Sequence, residues 1–383
     1  MFYPDAPKAH APKSGNPRLL MPLDAWLPRP VVAAAVGIGL LGAGAGLLYI
    51  SLFDPSLDTS RTSIPLSADE EAVAKLALHS HEHVLAIKQR PGRSVQLFSQ
   101  TWIPKRGVTS ANAVVILVHG LNEHSSSMLQ LVHTLLEENY IVYAFDHEGF
   151  GRSSGLHALI HSHESLVDDI HQHIKAVHAN FPTKKRFVLG GSLGGALTLH
   201  RLLRDSSDID GAIIQCPALE IHATRQPPAI VQAIGHAVAY VAPFFAVMPS
   251  NGGKGSSECV RATVQKAKLQ DPLYYTGKLR VGTAFQVKQC VETLQHQLVT
   301  QRALPVPLLL QHGTADVICS IEGSQEWFDR IQECPDKTFN KYDQAAHDLL
   351  HEPVANQVIE DVVQWLNLRC YRPQMDFQSV TSM

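Results

Sequence analysis

The stretch that most limits what this chain can fold into is KRFVLGGSLGGALTLH, residues 185–200, where four glycines crowd one serine. Phe187-Val188-Leu189 predicts a buried strand leading in, and Ala196-Leu197-Thr198-Leu199 predicts a helix leading out. Glycines on both sides of Ser192 fit a sharp strand-to-helix turn where the two elements pack too closely for β-carbons. The surroundings repeat that alternation. Apolar runs at 113–120, 141–147, 186–192, 211–217, 307–313 and 337–343 predict strands. Helical spacing fills 127–140, 165–181, 194–203 and 355–368, the last with Val358, Val362 and Leu366 on one stripe. Such a pattern predicts an α/β domain over residues 81–370, with a mostly parallel central sheet and helices on both faces. Pro91-Gly92, flanked by HVLAIKQ and SVQLFSQTWIP, predicts an antiparallel hairpin at its start.

Between about 218 and 300 the alternation breaks. The nearly uncharged stretch 227–250 is interrupted by Gln232, Gly235, His236 and Pro243, and reads as a helical cap inserted over the ligand-binding edge of the sheet. A greasy cap beside a reactive site points to an apolar substrate.

The chain has 383 residues, 45% of them hydrophobic, and a net charge of -3. That balance implies no nucleic-acid partner. The six cysteines are scattered without zinc spacing, so they neither require nor exclude disulfides. Among the 21 histidines, His79, His81 and His83 would share one face of a strand. No carboxylate or cysteine nearby completes a ligand set, so they read as polar surface positions. No metal and no cofactor is expected.

Residues 1–30, rich in Pro, Ala and basic side chains, read as a disordered tail, and 371–383 as a C-terminal tail. Residues 31–53 carry no charge and are long enough for the ~30 Å hydrocarbon layer, where about 20 residues suffice. A signal peptide has a shorter apolar core and a small-residue cleavage site. The segment therefore reads as a single-pass transmembrane anchor, with the membrane as a partner. Lys8, Lys13, Arg18 and Arg29 precede it and only Arg61 follows closely. That bias favours a cytosolic N-terminus and a catalytic domain on the non-cytoplasmic side. Small residues four apart in Gly42-Ala43-Gly44-Ala45-Gly46 would let two such helices self-associate, although glycine is common in such helices anyway. Residues 54–80 read as a linker.

Gly190-Gly191-Ser192-Leu193-Gly194 fits G-x-S-x-G, the nucleophile elbow, in which the serine sits at the head of a helix. The helix dipole and free N–H groups there favour a developing anion. A serine hydroxyl is inert without a base, and the base needs an orienting acid. The order serine, acid, histidine selects Asp316, after the strand in LLLQHGTADVICS, and His347 in YDQAAHDLLHEP. Asp343 is the second candidate acid, while Asp348 adjoins His347 and is poorly placed to orient that ring. Backbone N–H groups of Leu121, in VHGLNEHSS, and of Leu193 are the candidate oxyanion donors.

Together, HGLNEHSS, FDHEGFGRSSG, GGSLGG, DPLYYTGKLRVGTA, HGTADVICS and HDLLHEP resemble the monoacylglycerol lipase branch of the α/β-hydrolases, from about residue 95 to 368. The resemblance implies a serine esterase that cleaves the acyl ester of a monoacylglycerol or similar single-chain lipid. It implies Ser192 as nucleophile, Asp316 and His347 as its partners, and Leu121 and Leu193 as the oxyanion hole. Those lipases commonly carry histidine before the nucleophile, where this chain has Gly191, which puts substrate preference in question rather than mechanism. Rival readings are a lysophospholipase, a peptidase or an acyltransferase of the same fold, and a non-catalytic lipid-binding protein. A peptidase is disfavoured because the cap offers few charges to hold a peptide.

Overall fold

The computed structural model describes residues 58–86, 94–226, 228–249 and 262–370. Ten strands are described in chain order: β1 (Ala77–Leu85), β2 (Gln96–Pro104), β3 (Val114–Val118), β4 (Ile141–Phe145), β5 (Arg186–Gly191), β6 (Gly211–Gln215), β7 (Ala246–Pro249), β8 (Lys278–Arg280), β9 (Leu308–Gly313) and β10 (Lys337–Tyr342). Eight of them form one sheet in the order β1-β2-β4-β3-β5-β6-β9-β10. The β1–β2 and β2–β4 pairs are antiparallel, and every other neighbour pair in this sheet is parallel. The expected hairpin is therefore β1 with β2, and its Pro91-Gly92 turn lies outside the described residues.

All five residues of β3 are fully buried, which explains why its sequence is continuously apolar. Val114, Ile116 and Val118 face one layer, where they meet α3 (His163–Asn180), α4 (Leu193–Arg204) and α7 (Val281–Thr300). Val115 and Leu117 face the other, against α2 (Leu129–Glu137) and α9 (Ala355–Cys370). The stripe Val358, Val362, Leu366 is buried in that second layer. Each such aliphatic side chain contributes about 1.5–3 kcal/mol through burial. The two layers clamp the sheet so that the C-terminal ends of β3, β5, β6 and β9 open on one edge.

The cap differs in detail from its expectation. Its first helix, α5 (Ala229–Val241), is shorter than the 227–250 run, and the end of that run is β7, paired antiparallel with β8. Helices α6 (Ala262–Gln270) and α7 complete it, and α8 (Ile321–Arg330) lies outside it.

The single-pass membrane reading is corrected. Among the described residues no helix is long and apolar enough to cross a membrane. The longest one described, α7, has 20 residues but carries Lys288, Glu292 and several glutamines. The 31–53 run behind that reading, its glycine spacing and both tails lie outside the described residues.

The linker reading of 54–80 also changes. Residues 58–76 pack on the domain, with α1 (Ala68–Ala74) held by a capping box between Ser67 and Glu70. The pattern Ser-x-x-Glu in SADE was the missed signal. Arg61 is buried and donates to the carbonyls of Gly151 (3.0 Å), Ser153 (3.1 Å) and Gly155 (2.7 Å). Glu70 is buried against Arg152, whose two terminal nitrogens reach its oxygens at 2.7 and 2.8 Å. Burial pushes the Glu70 pKa up, but the hydrogen bonds from Arg152 and Ser126 outweigh it and hold it at about 2, below the ordinary 4.5. The folded chain thus binds this proton more weakly than the unfolded chain. Its stabilisation is full above about pH 4.5 and fades as pH falls towards about 2. Glu70→Gln is expected to destabilise at pH 7 and to lose most of that effect near pH 2, as read from denaturant midpoints across that range.

Candidate active site

Strand β5 ends at Gly191 and α4 begins at Leu193, so Ser192 alone makes the turn, with φ 54° and ψ -120°. Such angles cost a non-glycine residue about 1–3 kcal/mol and persist only where neighbours over-determine them. Here the Ser192 N–H donates to Gln215 O at 2.9 Å, and Ser192 O accepts from Ala196 and Ala218, each at 3.1 Å. A β-carbon on Gly194 would run into the carbonyl oxygens of Val118 and His119, whereas one on Gly191 would meet nothing within 4 Å. Gly194→Ala is therefore expected to destabilise the fold by about 1–3 kcal/mol. Gly191→Ala should be nearly neutral, and paired denaturation curves check the contrast.

The three expected side chains meet. Ser192 Oγ lies 2.9 Å from His347 Nε2, positioned to donate to it, and His347 Nδ1 lies 2.7 Å from Asp316 Oδ2. Asp316 follows β9 and His347 follows β10, so both come from the same edge of the sheet as the elbow. Asp316 Oδ1 accepts from the N–H groups of Ile318 (2.7 Å) and Cys319 (3.0 Å). Its Oδ2 also receives His312 Nε2 at 3.0 Å, and His312 Nδ1 lies 3.0 Å from Ser324 Oγ. Burial alone would raise the Asp316 pKa, but the adjacent His347 and His312 hold it well below the usual carboxylate range.

His312 is not among the site residues expected from the sequence. A polar ring at the end of the apolar run LLLQHG was the available signal. The other acids do not serve His347: Asp343 is exposed and accepts from Thr314 Oγ1, and Asp348 pairs with Lys268 (2.7 Å) and His351 (2.8 Å).

The loop after β3 passes directly beside the elbow, where a β-carbon on Gly120 would lie 3.3 Å from Ser192 Cβ. Leu121 on this loop and Leu193 at the helix start both line the cavity above Ser192. The first N–H groups of a helix have no intrahelical partner, so the Leu193 N–H is one of these end groups of α4. Glu123 Oε2 accepts from the Gly120 N–H at 3.0 Å and so tightens the turn.

That cavity, about 1040 Å³, runs from Ser192 beneath α5 and α7. Val231, Val281, Ala284, Phe285, Val287 and Val291 give it an apolar wall. The wall is not charge-poor throughout. Lys268 and Asp348 sit near His347, and the Lys288–Glu292 pair lies on α7. The sequence expectation of few charges holds for α5 but not for α6 and α7.

Among the described residues one group of potential metal donors, Cys216, Asp316 and His347, lies within 4.8 Å of one another. Asp316 and His347 are already hydrogen-bonded together. Burial raises the Cys216 thiol well above its ordinary pKa, which leaves it a poor ligand. His79, His81 and His83 line one face of edge strand β1, packed at tilted or edge-on angles against Trp102 and Phe98, and are not among the grouped donors. Among the described residues no disulfide joins the five cysteines to one another.

A strained strand–serine–helix elbow, with an acid and a histidine supplied from the ends of later parallel strands, defines an α/β-hydrolase. The family model described as serine aminopeptidase, S33, matches residues 109–354. The chain belongs to that family. It is 26% identical over 272 residues to the monoacylglycerol lipase of Mycolicibacterium smegmatis, covering 71% of this chain and 93% of that one. It is likewise 26% identical over 278 residues to the monoglyceride lipase of Homo sapiens, covering 71% and 87%. The crystal structure of a Paleococcus ferrophilus monoacylglycerol lipase superposes with a TM-score of 0.61 at 26% identity, over 71% of this chain and 99% of that one. The chain is a carboxylic ester hydrolase similar to the monoacylglycerol lipases.

Proposed function

We propose that this enzyme hydrolyses the acyl ester of a monoacylglycerol or similar single-chain lipid through an acyl-serine intermediate. The observation that carries the reading is the 2.9 Å Ser192–His347 contact opening onto a long, largely apolar cavity. His347 Nε2 takes the proton as Ser192 Oγ attacks the ester carbonyl. The N–H groups of Leu121 and Leu193 receive the oxyanion, each donor contributing roughly 3 kcal/mol to the transition state. Asp316 keeps Nδ1 protonated and steadies the imidazolium. His347 then protonates the departing alcohol, and the acyl chain stays under α5 and α7. Water attacks the acyl-enzyme with His347 again as base, releasing the fatty acid and restoring Ser192.

The named relatives support the lipid ester, and the apolar wall supports a single acyl chain. The experiment is a side-by-side assay of monoacylglycerol, lysophospholipid, and aminoacyl amide of matched concentration. Monoacylglycerol is expected to have the highest kcat/KM. Fastest turnover of the amide would replace this reading with peptidase activity, and acyl transfer to added alcohol in preference to water would replace it with acyltransfer.

A further inference from the structure

We propose that Glu70 is a positioning residue, which through the Ser126 hydroxyl and Arg152 fixes the loop bearing the Leu121 N–H. This rests on the oxyanion assignment above. It adds a part of the chain that the family match, beginning at residue 109, does not include.

The Glu70 carboxylate gathers donors from three segments. Ser67 N–H donates at 2.6 Å, Arg152 donates through both terminal nitrogens, and Ser126 Oγ donates to Oε1 at 2.5 Å. Gln100 Nε2 donates to Ser125 Oγ and Ser126 Oγ at 2.9 and 2.8 Å. With that amide on its acceptor side, the Ser126 hydroxyl is turned to donate to the carboxylate. Bonds to an ionised acceptor are about twice as strong as neutral ones. Arg152 is itself gripped by the segment before α1, donating to the carbonyls of Ile64 and Pro65, each at 2.8 Å.

A second carboxylate closes the network. Asp146 accepts from Ser125 N–H and Arg152 N–H, both at 2.6 Å. Residues 58–76, the 146–155 turn and the 120–128 loop are thereby tied into one hydrogen-bonded body. The last of these holds Asn122 at φ 68°, next to Leu121. Asparagine adopts this left-handed conformation more readily than most residues. The Tyr275 N–H holds its carbonyl at 3.0 Å, so the loop's remaining freedom lies towards Ser126. Four residues on from Asn122, Ser126 is where Glu70 holds that loop.

The test uses the full chain. Ser126→Ala removes the hydroxyl and leaves the Glu70–Arg152 pair intact, and Glu70→Gln keeps the side chain's volume. Three quantities are read: kcat and KM on one soluble ester, the rate of Ser192 modification by a fluorophosphonate, and the thermal midpoint. In both variants kcat and the labelling rate are expected to fall about tenfold, with KM within about twofold. The thermal midpoint of Ser126→Ala should fall less than that of Glu70→Gln, because the Glu70–Arg152 pair stays intact. Rates within about twofold of the parent in both variants, even with a lowered midpoint for Glu70→Gln, would reduce Glu70 to a stability role and overturn the proposal. A parent chain left unlabelled at Ser192 would remove the reading beneath it, a distinct result visible before any variant is made.

Discussion

Ser192→Ala is expected to lower kcat for ester hydrolysis by about 10⁶-fold, to a residue of activity supplied by binding and the oxyanion donors alone. The reason is geometric. The backbone at φ 54°, ψ -120° is held by Gln215, Ala196 and Ala218, none of which touches the hydroxyl, so the variant keeps the elbow and loses only the attacking atom. His347→Ala is expected to cost about as much, and the double variant little more, if the two groups act as one unit. Turnover on a soluble ester, with folding verified by circular dichroism, measures both. A Ser192→Ala enzyme retaining a tenth of the parent rate would remove the serine from the mechanism.

Asp316→Asn is expected to lower kcat by about 10⁴-fold with little change in KM. The carboxylate accepts on both edges: two backbone N–H groups at Oδ1, and two imidazoles at Oδ2. Asparagine has one carbonyl oxygen, so its NH₂ must face either the backbone donors or the His347 and His312 rings. Either choice sets donor against donor. With the NH₂ towards the rings, His347 loses the acceptor that keeps Nδ1 protonated and Nε2 free to receive. With it towards the backbone donors, the ring keeps a neutral acceptor but loses the charge that steadies the imidazolium. Ionisation of Asp316 itself does not limit the native enzyme in mild acid. Its folded pKa is depressed, so the associated stability is present above the ordinary carboxylate value of 3.8 and is lost only as pH falls through the lower folded value.

The parallel sheet was legible because buried strands such as Val114–Val118 have no polar face and each is followed by a helix of clear period. The meeting of Ser192, Asp316 and His347 was legible because the turn and the chain order restrict the candidates to few positions. Other features were hidden for physical reasons. The role of His312 depends on Asp316 four positions on, and only the turn after β9 folds that carboxylate back onto the ring. The packing of 58–76 was masked by its polar composition. Its hold comes from buried Arg61 and Glu70 rather than from an apolar stripe. The cap's charges on α6 and α7 lie far along the chain from the apolar stretch 227–250, and folding places them on the same cavity. The membrane reading rested on a segment with no counterpart among the described helices.

Mapping the covalent adduct of a fluorophosphonate by peptide mass spectrometry tests the central claim most directly. Stoichiometric label on the peptide holding Ser192, absent from Ser192→Ala and strongly slowed in His347→Ala, is the predicted result. Label on any other residue, with ester hydrolysis abolished all the same, would contradict it.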